Sequence, residues 1–452
     1  MSSVPFQKVL VANRGEIALR IIRACHELGI KTVAVHSKAD EDALHVKLAT
    51  ESVCIGPALA KESYLNIASI MSAAVATRAD AIHPGYGFLS ENAAFAEICA
   101  SCGITFIGPT VRSMRIMGDK ARARRVADKV GVPTIPGDSK GMLDAAEALK
   151  AADKAGYPIL LKACAGGGGR GMKIVKGPEE FVSTFQTAQR EVEAAFGDGH
   201  LLVEKYLPKV RHIEVQVAGD LSHNAIHLGI RDCSIQRRYQ KVIEESPSIG
   251  LPEGLQTQIQ DAALELIKSV NYSSLGTVEF LADLENEKFY FIEMNTRLQV
   301  EHPVTEMVTD VDLVKEQIRL AAGLELSWQQ KDIKITGHAI EARINAEDPR
   351  TLIPSPGLIK SYHPPGGNGV RVDSAIYAGY SVKPYYDSLI SKLIVRDKDR
   401  ASCIKKLLVA LDEYLIDGIS TNIELHRRIL SHPDFQSGNF STKFLDQVQL
   451  FG

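Results

Sequence analysis

The chain has 452 residues, of which 45% are hydrophobic and 24% charged, and its formal net charge is -3. This composition excludes a globally disordered chain, and the slightly acidic balance offers no basic surface for a nucleic-acid partner. Seven cysteines, an odd number at low density, favour a reducing compartment. No apolar run approaches the about 18 residues of a membrane helix. We therefore expect a cytoplasmic protein without a membrane or nucleic-acid partner, divided into roughly three domains of about 150 residues each.

Short β-branched runs alternate with amphipathic helices at the start of the chain. Apolar residues from Ile17 to Leu28 recur at helical spacing, and the predicted strands around them cover residues 8–12, 31–36, 81–82 and 105–107. Strands that alternate with helices predict a parallel sheet with helices on both faces. The first domain is therefore predicted to be α/β and to end near residue 113.

The remainder of the chain mixes helices with hairpins and is predicted to be α+β. A helical stretch rich in arginine and lysine follows residue 113, and a large α+β region continues to about residue 335. The charged residues of the helical stretch are typical of a solvated helix face. The last section, 336–452, opens with strands, passes a stretch rich in proline and glycine, and finishes in helices.

Residues 166–171 form a glycine-rich loop after a predicted strand at 158–163. The loop fits the G-x-G-x-x-G dinucleotide pattern, but strand-like residues follow it where that pattern requires a helix. A hairpin tip is therefore predicted. Backbone N–H groups without neighbouring Cβ atoms can approach an anion closely, and Lys162 adds a charge. We interpret the loop as a flap over nucleotide phosphates, with a merely flexible surface turn as the alternative.

Two predicted strands, 277–282 and 288–294, are joined by an acidic turn. If the turn centres on Asn286, Glu279 and Glu293 lie directly opposite each other, where like charges are destabilising. A divalent cation between them would remove the repulsion, and Mg²⁺ suits carboxylates and phosphates. The alternative is that one glutamate faces solvent.

Polar residues occupy every odd position from Glu293 to Glu301, and most of the even positions between them are apolar. In an extended chain these polar side chains share one face. An ordinary half-buried strand is the alternative, but amide, guanidinium and carboxylate groups together favour an active-site wall. A further cluster at 231–245 combines cations with carboxylates, which suits a small oxyanion or a surface ion-pair network.

Taken together, these segments resemble the biotin carboxylase family of the ATP-grasp superfamily over nearly the whole chain. The matching segments are residues 12–18 (ANRGEIA), 83–92 (HPGYGFLSEN), 117–120 (MGDK), 166–172 (GGGGRGM), 231–241 (RDCSIQRRYQK), 291–306 (FIEMNTRLQVEHPVTE) and 341–348 (EARINAED). The resemblance implies a Rossmann-like N-terminal domain at 1–113 and an ATP-grasp domain at 114–335 whose glycine-rich lid covers about 134–205. It also implies a C-terminal mixed α+β domain at 336–452.

The activity implied by the resemblance is an ATP-dependent ligase reaction. MgATP and bicarbonate carboxylate N1 of biotin through carboxyphosphate, with two Mg²⁺ ions expected and Mn²⁺ as a possible substitute. The sequence lacks the Ala-Met-Lys-Met type motif that carries biotin in multifunctional relatives. The expected partners are therefore a separate biotin carboxyl carrier protein, carboxyltransferase subunits and a second copy of the chain. Acetyl-CoA carboxylase of fatty acid biosynthesis is the expected complex, although the final acceptor stays open.

The resemblance also implies a role for each matching site residue. The nucleotide-binding residues are Lys120, Lys162, Gly168, Gly169, Met172, Glu204, Lys205, Leu207, His212 and Gln236, together with the metal ligands Glu279, Glu293 and Asn295. The bicarbonate and biotin residues are Lys241, Arg297, Gln299, Val300 and Arg343. Glu301 is the expected base, and Lys241, Arg297 and Arg343 are expected to be catalytic with it. Tyr239 departs from the histidine that some members carry.

Two other functions remain open at this point. An ATP-grasp ligase for another acid or amine, such as a carbamoyl-phosphate-synthetase-like enzyme, would share the flap and the paired glutamates. A non-catalytic nucleotide-binding subunit would share the fold. The polar residues at the odd positions of 297–301, together with Arg343, favour a biotin carboxylase. The presence of every expected catalytic residue type disfavours a non-catalytic subunit.

Overall fold

The computed structural model describes residues 4–138, 140–164 and 172–451. Its N-terminal part contains β1 (Lys8–Val11), α1 (Gly15–Glu27), β2 (Lys31–Ser37), α2 (Leu44–Leu48), β3 (Glu51–Gly56), α3 (Ile67–Thr77), β4 (Ala81–His83), α4 (Ala93–Ser101) and β5 (Thr105–Phe106). The five strands form a parallel sheet in the order β3-β2-β1-β4-β5, which confirms the predicted α/β architecture. The predicted strands do not include β3, because this edge strand is mostly exposed and lacks a buried apolar run.

The loop after β4 packs closely against the end of β1. Gly85 has φ +64°, and a Cβ on it would lie 2.9 Å from the amide nitrogen of Asn13. That amide donates hydrogen bonds to the carbonyl oxygens of Pro84 and Tyr86, at 2.7 and 2.8 Å. The carboxyl ends of two neighbouring parallel strands are thereby joined at the edge of the sheet where ligand sites usually form.

The central part of the chain is α+β. It contains α5 (Val111–Met117), α6 (Lys120–Lys129), α7 (Ala145–Ala155), β6 (Ile159–Ala163), β7 (Lys173–Val175), α8 (Phe181–Phe196), β8 (Leu201–Lys205), β9 (Arg211–Gly219), β10 (Ala225–Arg237), β11 (Gln240–Ser246), α9 (Glu253–Ser269), β12 (Ser274–Asp283), β13 (Lys288–Asn295), α10 (His302–Thr309) and α11 (Leu313–Ala321). The cationic stretch forms α5 and α6. Its interpretation as a solvated face is wrong for Arg124, which is buried on α6.

A three-stranded sheet in the order β7-β6-β8 packs with α7 and α8 around an apolar core of its own. The strands β6 and β7 pair in antiparallel fashion, as expected for two strands joined by a hairpin loop. The glycine loop itself, including Gly168 and Gly169, lies outside the described residues.

An eight-stranded antiparallel sheet joins the central part to the C-terminal part. The C-terminal elements are β14 (His338–Asn345), β15 (Gly357–Leu358), β16 (Ser361–His363), β17 (Val370–Ser374), β18 (Ser381–Val382), β19 (Leu389–Asp397), α12 (Arg400–Glu413), β20 (Leu415–Asp417), α13 (Ile423–Ser431), α14 (Pro433–Ser437) and α15 (Phe444–Gln447). The sheet order is β13-β12-β9-β10-β11-β14-β19-β17. Because β11 pairs with β14, strands from both sides of residue 335 line one surface.

Within the part of the chain that the structure describes, no helix has both the length and the apolarity needed to cross a bilayer.

We predict that Gly85→Ala destabilises the protein by about 1–3 kcal/mol, because alanine resists a positive φ and its methyl group would displace Asn13. Calorimetry should show a lower melting temperature. Gly254→Ala is the matched control, since a Cβ there meets nothing within 4 Å and the site lies in the first turn of α9. Equal melting temperatures for the two variants would contradict the prediction.

Candidate active site

One cavity of about 770 Å³ lies where the five-stranded parallel sheet, the eight-stranded sheet and the three-stranded sheet meet. Every described residue of the predicted site lines it. These residues are Lys120, Lys162, Met172, Glu204, Lys205, Leu207, His212, Gln236, Lys241, Glu279, Glu293, Asn295, Arg297, Gln299, Val300, Glu301 and Arg343. Residues from the N-terminal part also reach the cavity, among them Glu16 on α1 and Tyr86 in the loop after β4. The cavity therefore draws on all three parts of the chain.

The acidic hairpin has the predicted pair of facing glutamates, but for a reason that the sequence did not show. Glu279 and Glu293 are register partners on β12 and β13. At the tip Asp283 pairs with Lys288, which places the turn centre before Asn286, and a bulge after Glu279 restores the predicted alignment. Bulges are common beside active sites because they redirect a side chain.

The prediction that Glu293 to Glu301 form one extended face is wrong beyond Asn295. The strand β13 ends there, and an irregular loop at 296–301 leads into α10. Hydrogen bonds hold the loop's side chains at the cavity. Arg297 donates to Glu91 at 3.0 Å and to the Asn295 side chain at 2.8 Å, and Gln299 donates to Glu279 at 3.0 Å.

Lys241 is the centre of a buried group of carboxylates. Its ammonium contacts Glu214, lies 3.1 Å from Glu279 and 2.7 Å from Glu301. Burial alone would lower the pKa of Lys241, but these three carboxylates hold that pKa well above its usual value. The lysine is therefore charged, and it connects the acidic hairpin to the 296–301 loop.

Glu301 is ionised although it is buried. Burial would raise its pKa, but Lys241 and Arg343 hold the pKa of this carboxyl below its ordinary value. Arg343 lies 2.9 Å from Glu301 and 2.5 Å from Glu244. A carboxylate flanked by two cations can accept a proton while the cations stabilise negative charge on a bound substrate.

His212 lies beside the same carboxylates. Its Nε2 is 3.2 Å from Glu279 and 3.4 Å from Glu214. Burial would lower the pKa of this imidazole, but the two carboxylates raise it to about 9. His212 is therefore cationic at neutral pH in this arrangement.

The other end of the cavity holds two lysines that line it, together with their acidic partners. Lys162 lies 2.5 Å from Glu204, which also pairs with Arg124 at 3.1 Å, while Lys120 lies 3.2 Å from Glu293. The side chain of Lys205 instead donates to the carbonyl oxygens at 156 and 157, at 2.9 and 2.8 Å. The ammonium groups of Lys120 and Lys162 thus lie among side chains of the cavity wall, whereas that of Lys205 is bound to the backbone.

Tyr239 lines the cavity from the turn between β10 and β11. Both Arg238 and Tyr239 have positive φ, at 49° and 65°, which is uncommon for residues with side chains. The Tyr239 side chain is 42% exposed.

The cation cluster at 231–245 had a surface ion-pair network as one interpretation, and the structure excludes it for Arg231. The guanidinium is fully buried behind the cavity wall. It donates to the side chains of Glu214, Gln216, Thr277, Thr305 and Gln299, at 3.0, 2.7, 2.9, 3.1 and 3.3 Å. Glu214 and Gln216 alternate with apolar residues along β9, and that polar alternation was the available signal for them.

The described site, with Lys162 on the β6–β7 hairpin, Lys120 at the start of α6 and paired carboxylates on a neighbouring sheet, defines an ATP-grasp ligase. Family matches support the same class in each part of the chain. Residues 5–114 match Biotin carboxylase, N-terminal domain, and residues 341–447 match Biotin carboxylase C-terminal domain. Residues 119–329 match Carbamoyl-phosphate synthase L chain, ATP binding domain.

Full-length relatives decide between the ligases that share this central domain. The chain is 53% identical over 447 residues to biotin carboxylase 1 of Bacillus subtilis, with 99% of both chains covered. It is 55% identical over 445 residues to the biotin carboxylase of a Nostoc species, covering 98% of this chain and 99% of the relative. The chain belongs to the biotin carboxylase family, the ATP-dependent ligases that the sequence resemblance predicted. A carbamoyl-phosphate-synthetase-like enzyme is thereby excluded.

Solved structures agree with that family over nearly the whole chain. A biotin carboxylase–β,γ-ATP complex from Campylobacter jejuni has a TM-score of 0.96 and 50% identity, covering 98% of this chain and 99% of the other. The biotin carboxylase domain dimer of Hydrogenobacter thermophilus 2-oxoglutarate carboxylase has a TM-score of 0.95 and 50% identity, covering 98% and 97%. That second structure is a complex with MgADP, ADP and bicarbonate.

We predict that Arg231→Met lowers the free energy of unfolding by about 3–5 kcal/mol, because it leaves the buried Glu214 carboxylate without a guanidinium partner. Calorimetry or denaturant unfolding measures the loss.

The matched control is Arg115→Met. Arg115 pairs with Glu97 at the surface, where its side chain is 56% exposed, so its loss should cost less than about 0.5 kcal/mol. If Arg231→Met were as mild as this control, Arg231 would not support the site.

Proposed function

We propose that this protein uses MgATP and bicarbonate to carboxylate N1 of biotin carried by a biotin carboxyl carrier protein, through carboxyphosphate. The observation that carries the proposal is the position of Lys241. One ammonium lies within 3.1 Å of both Glu279, on the acidic hairpin, and Glu301, beside Arg343. The phosphoryl-transfer end and the carboxylation end therefore share one cavity, as a reaction with a short-lived intermediate requires.

The nucleotide binds at the end of the cavity that faces the three-stranded sheet. Lys120 and Lys162 hold its phosphates as point charges, and Gly168 and Gly169, outside the described residues, are the proposed glycine contacts to the same phosphates. Glu204, Lys205 and Leu207 are the proposed contacts to the adenine, and His212 and Gln236 are the proposed contacts to the ribose. Met172 is a further proposed nucleotide contact. Positioning and neutralisation of charge are the main protein contributions to phosphoryl transfer.

Glu279, Glu293 and Asn295 are the proposed ligands of the magnesium ions. Their donor chemistry fits, since two carboxylates and an amide provide the hard oxygen atoms that Mg²⁺ prefers. The two carboxylates face each other on paired strands, and Lys241 and Lys120 now balance their charge at 3.1 and 3.2 Å. When bound, two Mg²⁺ or Mn²⁺ ions would neutralise the phosphates and polarise the transferred group.

Bicarbonate binds against the 296–301 loop. Arg297, Gln299 and the backbone of Val300 orient it, and the Glu301 carboxylate takes its hydroxyl proton. The deprotonated oxygen attacks the γ-phosphorus, the bond to ADP breaks, and carboxyphosphate forms. Lys241 stabilises negative charge on the transferred group, because its ammonium stays protonated among three carboxylates.

Biotin binds next to Arg343. The guanidinium stabilises the enolate form of the ureido ring, which forms when N1 gives its proton to the departing phosphate. N1 then takes the carboxyl group of carboxyphosphate, whose C–O bond to the phosphate group breaks as inorganic phosphate leaves. Burial of the Arg343–Glu301 pair keeps these charges out of bulk water, which would weaken their electrostatic interactions. Exclusion of water also protects carboxyphosphate from hydrolysis.

The partners and boundaries follow from the same proposal. The biotin carrier and carboxyltransferase subunits act with this chain, with acetyl-CoA carboxylase as the proposed complex in the cytoplasm. A homodimer is supported by the Hydrogenobacter relative, which is described as a dimer. The proposed domains are 1–113, 114–335 and 336–452.

The first test is the turnover of ATP by the purified protein with bicarbonate and free biotin. We expect ATP hydrolysis that depends on bicarbonate and increases when biotin is added, because biotin consumes carboxyphosphate. Release of ADP in a coupled assay measures the rate. Turnover that ignores biotin would contradict the proposed function.

We further predict that Glu301→Gln abolishes biotin carboxylation, because an amide cannot accept the bicarbonate proton, and leaves MgADP binding nearly unchanged. Carboxybiotin formation and calorimetric titration with MgADP measure the two effects. Glu285→Gln, at an exposed pair with Lys209, should behave as wild type. Near-normal turnover by Glu301→Gln would show that the base assignment is wrong.

A further inference from the structure

The backbone of residues 299–301 is held from behind the cavity. The carbonyl oxygen of Gln299 accepts a hydrogen bond from His302 Nδ1 at 2.8 Å, and that of Glu301 accepts one from the first turn of α10 at 3.3 Å. Both of these bonds are local. The carbonyl oxygen of Val300, between them, accepts a hydrogen bond at 2.9 Å from Lys392, a residue 92 positions further along the chain.

Lys392 is an unusual donor for a backbone carbonyl because its side chain is fully buried. It lies on β19, directly opposite Arg343 of β14. Burial of an ammonium costs several kcal/mol, and apolar replacements of buried ion pairs are often neutral or stabilising. If packing of the sheet were the only requirement, an apolar residue would therefore suffice at this position.

Carboxylates around Lys392 keep it charged. Glu16 lies 3.3 Å away and also accepts the hydroxyl hydrogen bond of Tyr86, while Asp373 lies 3.9 Å away. Burial would lower the pKa of Lys392, but the surrounding carboxylates, above all Glu16, hold that pKa above its ordinary value.

These carboxylates do not explain the direction of the ammonium. Asp373 is already paired with Arg371 through two hydrogen bonds, at 2.9 and 2.7 Å. Among the described residues, the shortest polar contact of the Lys392 ammonium is to the Val300 carbonyl oxygen and not to a carboxylate.

We propose that Lys392 is a positioning residue for the bicarbonate step, acting through the Val300 carbonyl oxygen. The inference rests on the proposed function, in which Gln299, Val300 and Glu301 meet bicarbonate. Because a peptide unit is planar, a fixed Val300 oxygen also fixes the direction of the Glu301 N–H and the place of the Glu301 Cα, from which the side chain starts. Glu16, from the first domain, holds the ammonium in the position from which it reaches the loop.

The decisive experiment compares wild type with Lys392→Met. We expect kcat/KM for bicarbonate to fall about 100-fold, since an ångström of misplacement of a reacting group has an effect of this order. The KM for ATP and the calorimetric Kd for MgADP should stay within about twofold, because the nucleotide contacts do not involve Val300. A purely structural role would weaken bicarbonate use and MgADP binding together.

A second variant guards against misfolding. Glu16→Gln with Lys392→Met removes both charges of the pair, so that the Glu16 carboxylate is not left buried without its cation. The amide oxygen introduced by Glu16→Gln can still accept the Tyr86 hydroxyl. The double variant should fold and show the same loss of bicarbonate use as the single one, since Glu16 acts through Lys392.

The matched control is Lys406→Met. Lys406 also donates to a backbone carbonyl in the C-terminal part, that of Arg396 at 2.8 Å, and also pairs with an aspartate, Asp397 at 3.0 Å, but it lies away from the cavity. Its kinetics should match those of wild type.

The outcomes separate this inference from the proposed function. If wild type lacks biotin-stimulated, bicarbonate-dependent turnover, the proposed function is wrong and the role of Lys392 is wrong with it. If wild type has that turnover and the folded Lys392 variants keep its kcat/KM for bicarbonate, only the positioning role is overturned. Parallel losses of MgADP affinity and bicarbonate use would also overturn it.

Discussion

The arrangement of this active site depends on the compensation of buried charge around Lys241. Three buried carboxylates, Glu214, Glu279 and Glu301, converge on the Lys241 ammonium, whose side chain is 14% exposed. Without the cation they would repel each other in a medium of low dielectric constant, and burial would raise their pKa values and favour the protonated forms. With it, Glu301 stays ionised, which the proposed role as a base requires.

That charge compensation needs strands that are far apart in the sequence to be neighbours in space. Glu214 lies on β9, Lys241 on β11 and Glu279 on β12, and Arg343 comes from β14 beyond them. One antiparallel sheet contains all four strands, so the separation between their side chains is set by strand pairing rather than by flexible linkers. A rigid sheet suits chemistry in which charges must be in place before the substrate arrives.

Cations behind the cavity wall continue the same pattern. Arg231 holds the side chains of Glu214 and Gln299, and Lys392 holds the backbone at Val300. Both side chains are fully buried and neither lines the cavity. The 296–301 loop, the proposed bicarbonate site, is thus supported by charged groups from outside the segment itself, which explains how an irregular stretch can keep a defined geometry.

The sequence alone was sufficient for the parallel first sheet, the acidic hairpin, the family and part of the cavity lining, because these depend on local periodicity and on motifs that stay together in the chain. It did not show that β13 ends at Asn295, that a bulge aligns Glu279 with Glu293, or that Arg231 is buried. It also gave no reason to single out Lys392 or Glu16. Tertiary structure decided these points, because bulges, strand ends and buried ion pairs depend on contacts between residues that lie tens to hundreds of positions apart, and no local pattern records such contacts.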